Sequence, residues 1–143
     1  MLYKSNSAKE TENIAKAFSK TLKAGDVVCL WGDLGVGKTA FAGGLSKGLG
    51  VTEYISSPTF TVVNCYEGNL PVYHFDVYRI SDSEEMYEIG YEEYVYGDGV
   101  SIIEWPGLIS DILPEERYDI TISKNLELHA DFREILIEKR GKK

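Results

Sequence analysis

The chain has 143 residues, the size of one ordinary domain, so we expect a single domain spanning residues 1–143. Its 43% hydrophobic and 12% aromatic residues can fill a core without a disulfide or a structural metal. The formal net charge of −8 argues against a protein that binds a nucleic-acid backbone or a membrane surface by itself.

Charge is distributed unevenly along the chain. Residues 1–50 contain seven lysines and four acids, residues 51–112 contain twelve acids and one arginine, and residues 113–143 contain seven of each. We expect most of the acids in the middle to be solvated and some to face a protein partner. No apolar run approaches the length of a membrane span and the first residues are polar, so we expect a cytoplasmic protein.

The first third of the chain predicts a helix, a buried strand, a glycine-rich turn and a second helix. Ser7 and Glu10 have the spacing of a capping box, and the apolar residues after them predict a helix over 8–22. The continuous apolar run Val27–Trp31 is typical of a buried strand. A second helix is predicted over 39–49.

The rest of the chain predicts mainly strands. Strands over 60–66 and 72–78 form a hairpin, and alternation puts His74, Asp76 and Tyr78 on one face of the second strand. The remaining predicted elements are a helical segment over 82–94 broken at Gly90, a strand over 100–103 that leads into Glu104 and Trp105, and strands over 118–122, 127–130 and 133–138.

The turn after the first buried strand carries the most specific motif. Residues 32–39, Gly-Asp-Leu-Gly-Val-Gly-Lys-Thr, match the G-x-x-x-x-G-K-[ST] pattern of the phosphate-binding loop, or Walker A sequence. Its glycines let successive backbone N–H groups point at one phosphate, and the following helix adds its positive end. Lys38 would contact the outer phosphates, and the Thr39 hydroxyl would bind a magnesium ion.

This motif predicts binding of a nucleoside triphosphate in an α/β, P-loop NTPase-like fold. In such a fold a central, mostly parallel sheet is flanked by helices, and we expect antiparallel strands at its edge. The other expected phosphate-loop residues are Asp33, Leu34, Gly35, Val36 and Gly37.

Two acids compete for the remaining metal and catalytic roles. Glu104 follows a predicted parallel strand, whose carboxyl end faces the crevice where ligands bind, although a solvated acid there has equal weight. Asp76 lies on a face expected to be half-buried, where Arg79 or His74 would be its structural partner. Position alone leaves the roles of magnesium ligand and water-orienting base divided between Glu104 and Asp76.

Two other residues near these motifs have open roles. His74 could act as a base, but a lone histidine on a strand is more often a hydrogen-bonded structural residue. Trp31, directly before the Walker sequence, is either a core residue or a wall of the nucleotide site.

Four ordered motifs together resemble the TsaE family, formerly called YjeE. They are the Walker sequence at 32–39, Ser-Pro-Thr-Phe at 57–60, His-Phe-Asp-Val-Tyr-Arg at 74–79 and Glu-Trp-Pro at 104–106. The resemblance runs from about residue 11 to 113. It implies a small cytoplasmic P-loop ATPase that acts with TsaB and TsaD to form threonylcarbamoyladenosine beside the anticodon of tRNAs reading ANN codons.

The resemblance further implies how the work is divided. TsaD performs the transfer, and ATP hydrolysis resets the complex between turnovers. The ATPase is slow alone and meets tRNA only indirectly, through the complex.

The resemblance also assigns roles to single residues. Lys38 contacts the phosphates of ATP, Thr39 and Glu104 hold Mg²⁺, and Asp76 orients the attacking water or a magnesium-bound water. Trp105 lies beside the nucleotide.

Other positions are assigned in the same way. Thr11 lies in the family's N-terminal segment near the base, Arg133 lies in its C-terminal segment, and both are expected to bind the nucleotide. Residues 57–59, Ser-Pro-Thr, form a nucleotide-sensing switch loop. Ala40 stands where many members have a second threonine, so any role of that hydroxyl is absent here.

The number and positions of the arginines bear on the expected rate of ATP hydrolysis. The chain has four arginines, none in a recognisable lid, so we expect slow hydrolysis alone and activation by a partner. Two other classes stay open: a small-molecule kinase, which would need a basic lid, and a nucleotide switch that binds ATP and a partner without turnover. The sequence does not predict an oligomeric state.

Overall fold

The computed structural model describes residues 1–32, 37–53, 62–78, 80–124, 128 and 130–141. Across these residues seven strands form one sheet: β1 Leu2–Ser5, β2 Val27–Trp31, β3 Val63–Tyr66, β4 Val72–Asp76, β5 Val100–Glu104, β6 Arg117–Lys124 and β7 Arg133–Arg140. The helices are α1 Ala8–Ser19, α2 Lys38–Gly48, α3 Glu84–Glu88 and α4 Tyr91–Val95, followed by a 3₁₀ helix over Pro106–Ile112.

The sheet has a parallel centre and antiparallel edges. Its strand order is β1-β7-β6-β2-β5-β4-β3, and the neighbours from β6 through β2 and β5 to β4 are parallel. Strands β7 and β1 add antiparallel pairs at one side, and β3 adds one at the other. The predicted P-loop NTPase-like α/β fold is confirmed.

Both faces of the sheet are covered, which explains why β2 is a continuous apolar run. On one face α1 and α2 pack on a buried cluster that includes Leu30, Phe41 and Ile102. On the other face α3, α4 and the 3₁₀ helix pack on a second cluster, which includes Phe75 and Ile103.

Helix α1 begins as the sequence predicts and ends earlier. The Ser7 hydroxyl accepts a hydrogen bond from the Glu10 amide at 3.1 Å, so the predicted cap is present. The helix ends at Ser19 rather than at residue 22, because the amides of Lys20, Thr21 and Leu22 bond to carbonyls three residues back. These bonds tighten the chain into a turn.

Three strand predictions need correction. Strand β3 begins at Val63, because Val62 has a positive φ of 67° that interrupts the extended backbone. Strand β4 ends at Asp76, before residue 78. The strand predicted over 127–130 is wrong for the residues that can be described there, since Leu128 and Ala130 lie in a turn.

The short edge strand β1 was not predicted, because three of its four residues are exposed and carry no alternating pattern. The segment predicted to be helical over 82–94 does form two short helices separated at Gly90. Among the helices in the described ranges, none combines the length and apolar character needed to cross a membrane.

Candidate functional site

The parallel strands bring three predicted site residues to one edge of the sheet. Glu104, the last residue of β5, pairs in register with Leu30 of β2 and with Asp76 at the end of β4. Helix α2 begins at Lys38, a short distance along the chain after β2. Lysine and both acids therefore meet at the carboxyl ends of the parallel strands, where α/β folds bind ligands.

Lys38 is a buried lysine whose ammonium contacts a backbone carbonyl and an aromatic ring. Lys38 is only 5% exposed, and its Nζ donates a hydrogen bond to the Gly32 carbonyl at 2.7 Å. The same Nζ lies 3.5 Å from the centre of a Trp105 ring, within the range of a cation–π contact. Gly37, with φ of 107°, supplies the left-handed turn that leads into α2.

His74 and Glu104 form a buried pair between neighbouring strands. The side chain of His74 is fully buried and that of Glu104 is 5% exposed, and their Nε2 and Oε2 atoms are 2.5 Å apart. This contact agrees with the interpretation of His74 as a hydrogen-bonded structural residue, and its partner is one of the two candidate acids.

Asp76 lies beside this pair and is half-buried. Its Oδ1 accepts a hydrogen bond from the Tyr78 amide at 3.1 Å. Burial raises the pKa of Asp76 above its usual value, the Glu104 carboxylate adds to that effect, and the Tyr78 amide, His74 and Lys38 oppose it. A carboxylate with a raised pKa among other charged groups is a typical candidate for handling a proton.

Trp105 forms one wall of a cavity next to the start of the Walker sequence. It has a positive φ of 63°, which turns the chain directly after β5, and its ring lies 4.7 Å from that of the exposed Tyr78. The cavity has a volume of about 250 Å³, and its lining includes Trp31, Gly32 and Pro106. Trp31 is half-buried, lines this cavity and also packs against the second core cluster, so it takes part in both, and its role as a wall of the nucleotide site stays a prediction.

Asp119 is a buried residue that sequence reasoning missed. Its carboxylate accepts hydrogen bonds from Trp31 Nε1 at 2.9 Å, Arg117 Nε at 2.9 Å and Arg140 Nε at 3.0 Å. Burial alone would raise its pKa, but these donors hold the pKa of Asp119 below its usual value. An acid between apolar neighbours in the predicted strand 118–122 was the signal that could have identified it.

Three further predicted site residues, Thr39, Thr11 and Arg133, are described by the structure. Thr39 is exposed in the first turn of α2, directly after Lys38. The hydroxyls of Thr11 and Ser5 are 2.8 Å apart and buried, and Arg133 Nη1 donates to the carbonyls of Ala130 and Phe132. Thr11 therefore contacts the end of β1, and Arg133 makes its contacts at the start of β7.

Some predictions fall outside the described residues. They concern Asp33, Leu34, Gly35 and Val36 of the phosphate loop, the Ser57–Thr59 switch segment, and Arg79.

The donor set suits a hard cation that shares its coordination with phosphates. In the part of the chain that the structure describes, no three His, Cys, Asp or Glu side chains form a metal-binding cluster. Glu104 and Asp76 offer carboxylate oxygens, and Thr39 offers a hydroxyl. Mg²⁺ usually takes one or two carboxylates plus substrate phosphates and water, so these residues fit magnesium better than a metal that needs a complete protein cage.

A sheet with parallel central strands, a Walker sequence between β2 and α2, and an acid at the end of the adjacent strand together define a P-loop NTPase-like protein. A family model described as "Threonylcarbamoyl adenosine biosynthesis protein TsaE" matches residues 5–134. The chain belongs to the TsaE family.

Individual relatives agree with this assignment. The chain is 48% identical over 116 residues to the tRNA threonylcarbamoyladenosine biosynthesis protein TsaE of Bacillus subtilis, covering 80% of this chain and 72% of the relative. It is 46% identical over 119 residues to the protein of the same name from Treponema pallidum, covering 83% and 87%. The crystal structure of Bacillus subtilis YdiB superimposes with a TM-score of 0.84 at 39% identity, covering 99% of this chain and 86% of that one.

Proposed function

We propose that this chain binds ATP with Mg²⁺ and hydrolyses it in support of threonylcarbamoyladenosine synthesis on tRNA, together with TsaB and TsaD. The observation that carries the proposal is the meeting of Lys38, Asp76 and Glu104 at the carboxyl ends of β2, β4 and β5, beside the Walker sequence. The names of the curated relatives support the pathway.

Binding would use Lys38, the start of α2, the phosphate loop and Glu104. Lys38 supplies a positive point charge for the outer phosphates, and the N-terminal end of α2 adds backbone donors. The loop residues Asp33, Leu34, Gly35, Val36 and Gly37 would surround the phosphates with amides. Thr39 and Glu104 would hold Mg²⁺, which when bound neutralises charge on the phosphates.

Asp76 is the proposed water-orienting residue. Its carboxylate lies close enough to Lys38, His74 and Glu104 for their charges to act on its pKa. A general base works best when its pKa approaches the operating pH, and burial moves Asp76 in that direction.

The remaining contacts would lie on two sides of the nucleotide. Trp105 would flank the phosphates, since it already contacts Lys38. Arg133 and Thr11 would lie on the side of the base. A direct contact from Thr11 requires its hydroxyl to exchange its bond with Ser5, because Thr11 is only 1% exposed.

Hydrolysis by the isolated chain should be slow, because the described arginines are occupied elsewhere. Arg117 and Arg140 bond to Asp119, and Arg133 bonds to backbone carbonyls. An arginine directed at the developing charge is worth about 10³–10⁵ in rate, and the proposal is that a partner supplies it. TsaD and TsaB are the proposed partners, in the cytoplasm, with tRNA met only through the complex.

The test is ATP turnover by the pure protein with and without TsaB–TsaD, for the wild type and for Lys38→Ala. We expect slow turnover alone, acceleration in the complex and loss of both in the variant. Fast turnover by the isolated chain would contradict activation by a partner. ATP that stays intact in the complex would replace the ATPase with a nucleotide switch, and transfer of phosphate to a small molecule would replace it with a kinase.

A further inference from the structure

The buried contact between His74 and Glu104 links the metal-binding candidate to a residue that the proposed mechanism does not use. Residue 74 pairs with Ile102 in the β4–β5 register, and Glu104 stands two residues further along β5 on the same face. This offset lets the imidazole reach the carboxylate, with Nε2 and Oε2 2.5 Å apart. Both side chains are almost completely removed from solvent.

The chemistry of the pair decides which ring nitrogen of His74 donates the hydrogen bond to Glu104. An ionised carboxylate can only accept, so Nε2 must donate to Oε2. Nδ1 is buried and has no hydrogen-bond partner among the described residues. The hydrogen bond to Glu104 therefore uses the Nε2–H of the imidazole.

We propose that His74 is a positioning residue for Glu104: its Nε2–H holds the carboxylate in the orientation that binds the nucleotide-bound Mg²⁺. The inference rests on the proposed magnesium role of Glu104. A ligand carboxylate that is fixed by a hydrogen bond loses less conformational freedom when the metal binds, and removal of such a partner typically weakens metal binding 10–100-fold.

Two substitutions at position 74 separate hydrogen bonding from packing. In His74→Gln the amide nitrogen can take the place of Nε2 and donate to Glu104. In His74→Asn the amide is polar but one carbon shorter, so it cannot reach the carboxylate. Phe75→Leu is the matched control, because Phe75 is fully buried on the opposite face of the same strand and contacts the other cluster.

The measurement is calorimetric binding of a non-hydrolysable ATP analogue, once with Mg²⁺ and once with EDTA, on variants shown by melting to be folded. We expect His74→Asn to lose about tenfold or more of the affinity gained from Mg²⁺ while its affinity in EDTA stays at the wild-type value. We expect His74→Gln and Phe75→Leu to keep most of that gain. The same gain in His74→Asn as in the wild type would overturn the inference.

Failure of the proposed function is distinguishable, since the wild type itself would then show no affinity for the analogue or no gain from Mg²⁺. A second measurement needs no variant. Long-range ¹H–¹⁵N NMR spectra of the wild-type protein should show the Nε2–H tautomer of His74, both without ligand and with the magnesium-bound analogue. An Nδ1–H tautomer in either sample would overturn the inference even if the position 74 variants did not fold.

Discussion

The Lys38 ammonium lies 3.5 Å above a ring of Trp105, so the end of the Walker sequence contacts the Glu-Trp-Pro motif directly. Lys38 and Trp105 are 67 positions apart in the sequence, and the parallel pairing of β2 with β5 brings them together. Lys38 therefore lies close to Glu104, the acid that directly precedes Trp105.

Lys38→Ala should weaken nucleotide binding by about 1.5–3 kcal/mol, the range for a hydrogen bond to a charged group. Calorimetric titration with ATP measures the loss. Lys47→Ala is the control, because Lys47 is an exposed lysine on the same helix whose ammonium pairs with Glu12 at 2.8 Å. The control should bind ATP as the wild type does, and unchanged affinity in Lys38→Ala would reject the assignment of the phosphate loop.

Asp76→Asn should lose hydrolysis and gain stability. The folded-state pKa of Asp76 is raised, so its ionised form costs stability once the pH exceeds that pKa, and a neutral amide removes the cost. At neutral pH we expect a higher melting temperature, unchanged ATP binding, and turnover with the partners reduced about 10²–10⁴-fold.

The control for Asp76→Asn is Glu67→Gln, which removes the same charge from an exposed position near the β3–β4 turn. It should change neither turnover nor melting temperature appreciably. A melting temperature of Asp76→Asn below that of the wild type, or full turnover, would count against this role.

Asp119 should make a pH-dependent contribution to stability. Its folded-state pKa is lowered, so the ionised form stabilises the protein fully above the unfolded value of about 3.9, and this stability is lost as the pH falls through the folded pKa. Asp119→Asn should therefore be less stable than the wild type at neutral pH, by about 1–3 kcal/mol.

Urea unfolding between about pH 6 and pH 2 measures this effect, and the difference between Asp119→Asn and the wild type should shrink towards the acid end. Asp131→Asn, at an exposed position before β7, is the matched control and should follow the wild type at every pH. A difference for Asp119→Asn that stays constant with pH would exclude the charge of Asp119 as its cause.

Two adjacent glycines of α2 should respond in opposite ways to alanine. A Cβ on Gly44 would lie 2.4 Å from the Glu12 carbonyl oxygen of α1, whereas a Cβ on Gly43 would meet nothing within 4 Å. Gly44→Ala should destabilise the protein by about 1–3 kcal/mol through overpacking. Gly43→Ala should stabilise it by about 0.5–1 kcal/mol, because alanine favours the helix.

Urea unfolding of both glycine variants gives the comparison. Similar stability changes in the two would show that the close approach of α1 to α2 does not limit the residue at position 44.

Local features of the sequence predicted the elements around the site well. The apolar run Val27–Trp31 indicated a strand buried on both faces, and the hydroxyl of Ser7 indicated where α1 begins. Alternation in β4 placed His74 and Asp76 on one face, as the structure has them, since both lie near Glu104.

Long-range pairings could not be predicted in the same way. The register that sets Asp76 beside Glu104 depends on the order of strands in the sheet, which local patterns do not encode. The three donors to Asp119 come from β2, β6 and β7, so only the folded chain brings them together. The edge strand β1 has a mostly exposed pattern that gave no periodic signal.

The central claim is that nucleotide chemistry at Lys38 supports tRNA modification. The most direct measurement is the yield of threonylcarbamoyladenosine on tRNA over many turnovers in a reconstituted reaction with TsaB and TsaD, with this protein, with its Lys38→Ala variant, or with neither. We predict repeated turnover only with the wild-type protein. A variant that supports as much modification as the wild type, while failing to bind ATP, would contradict the account.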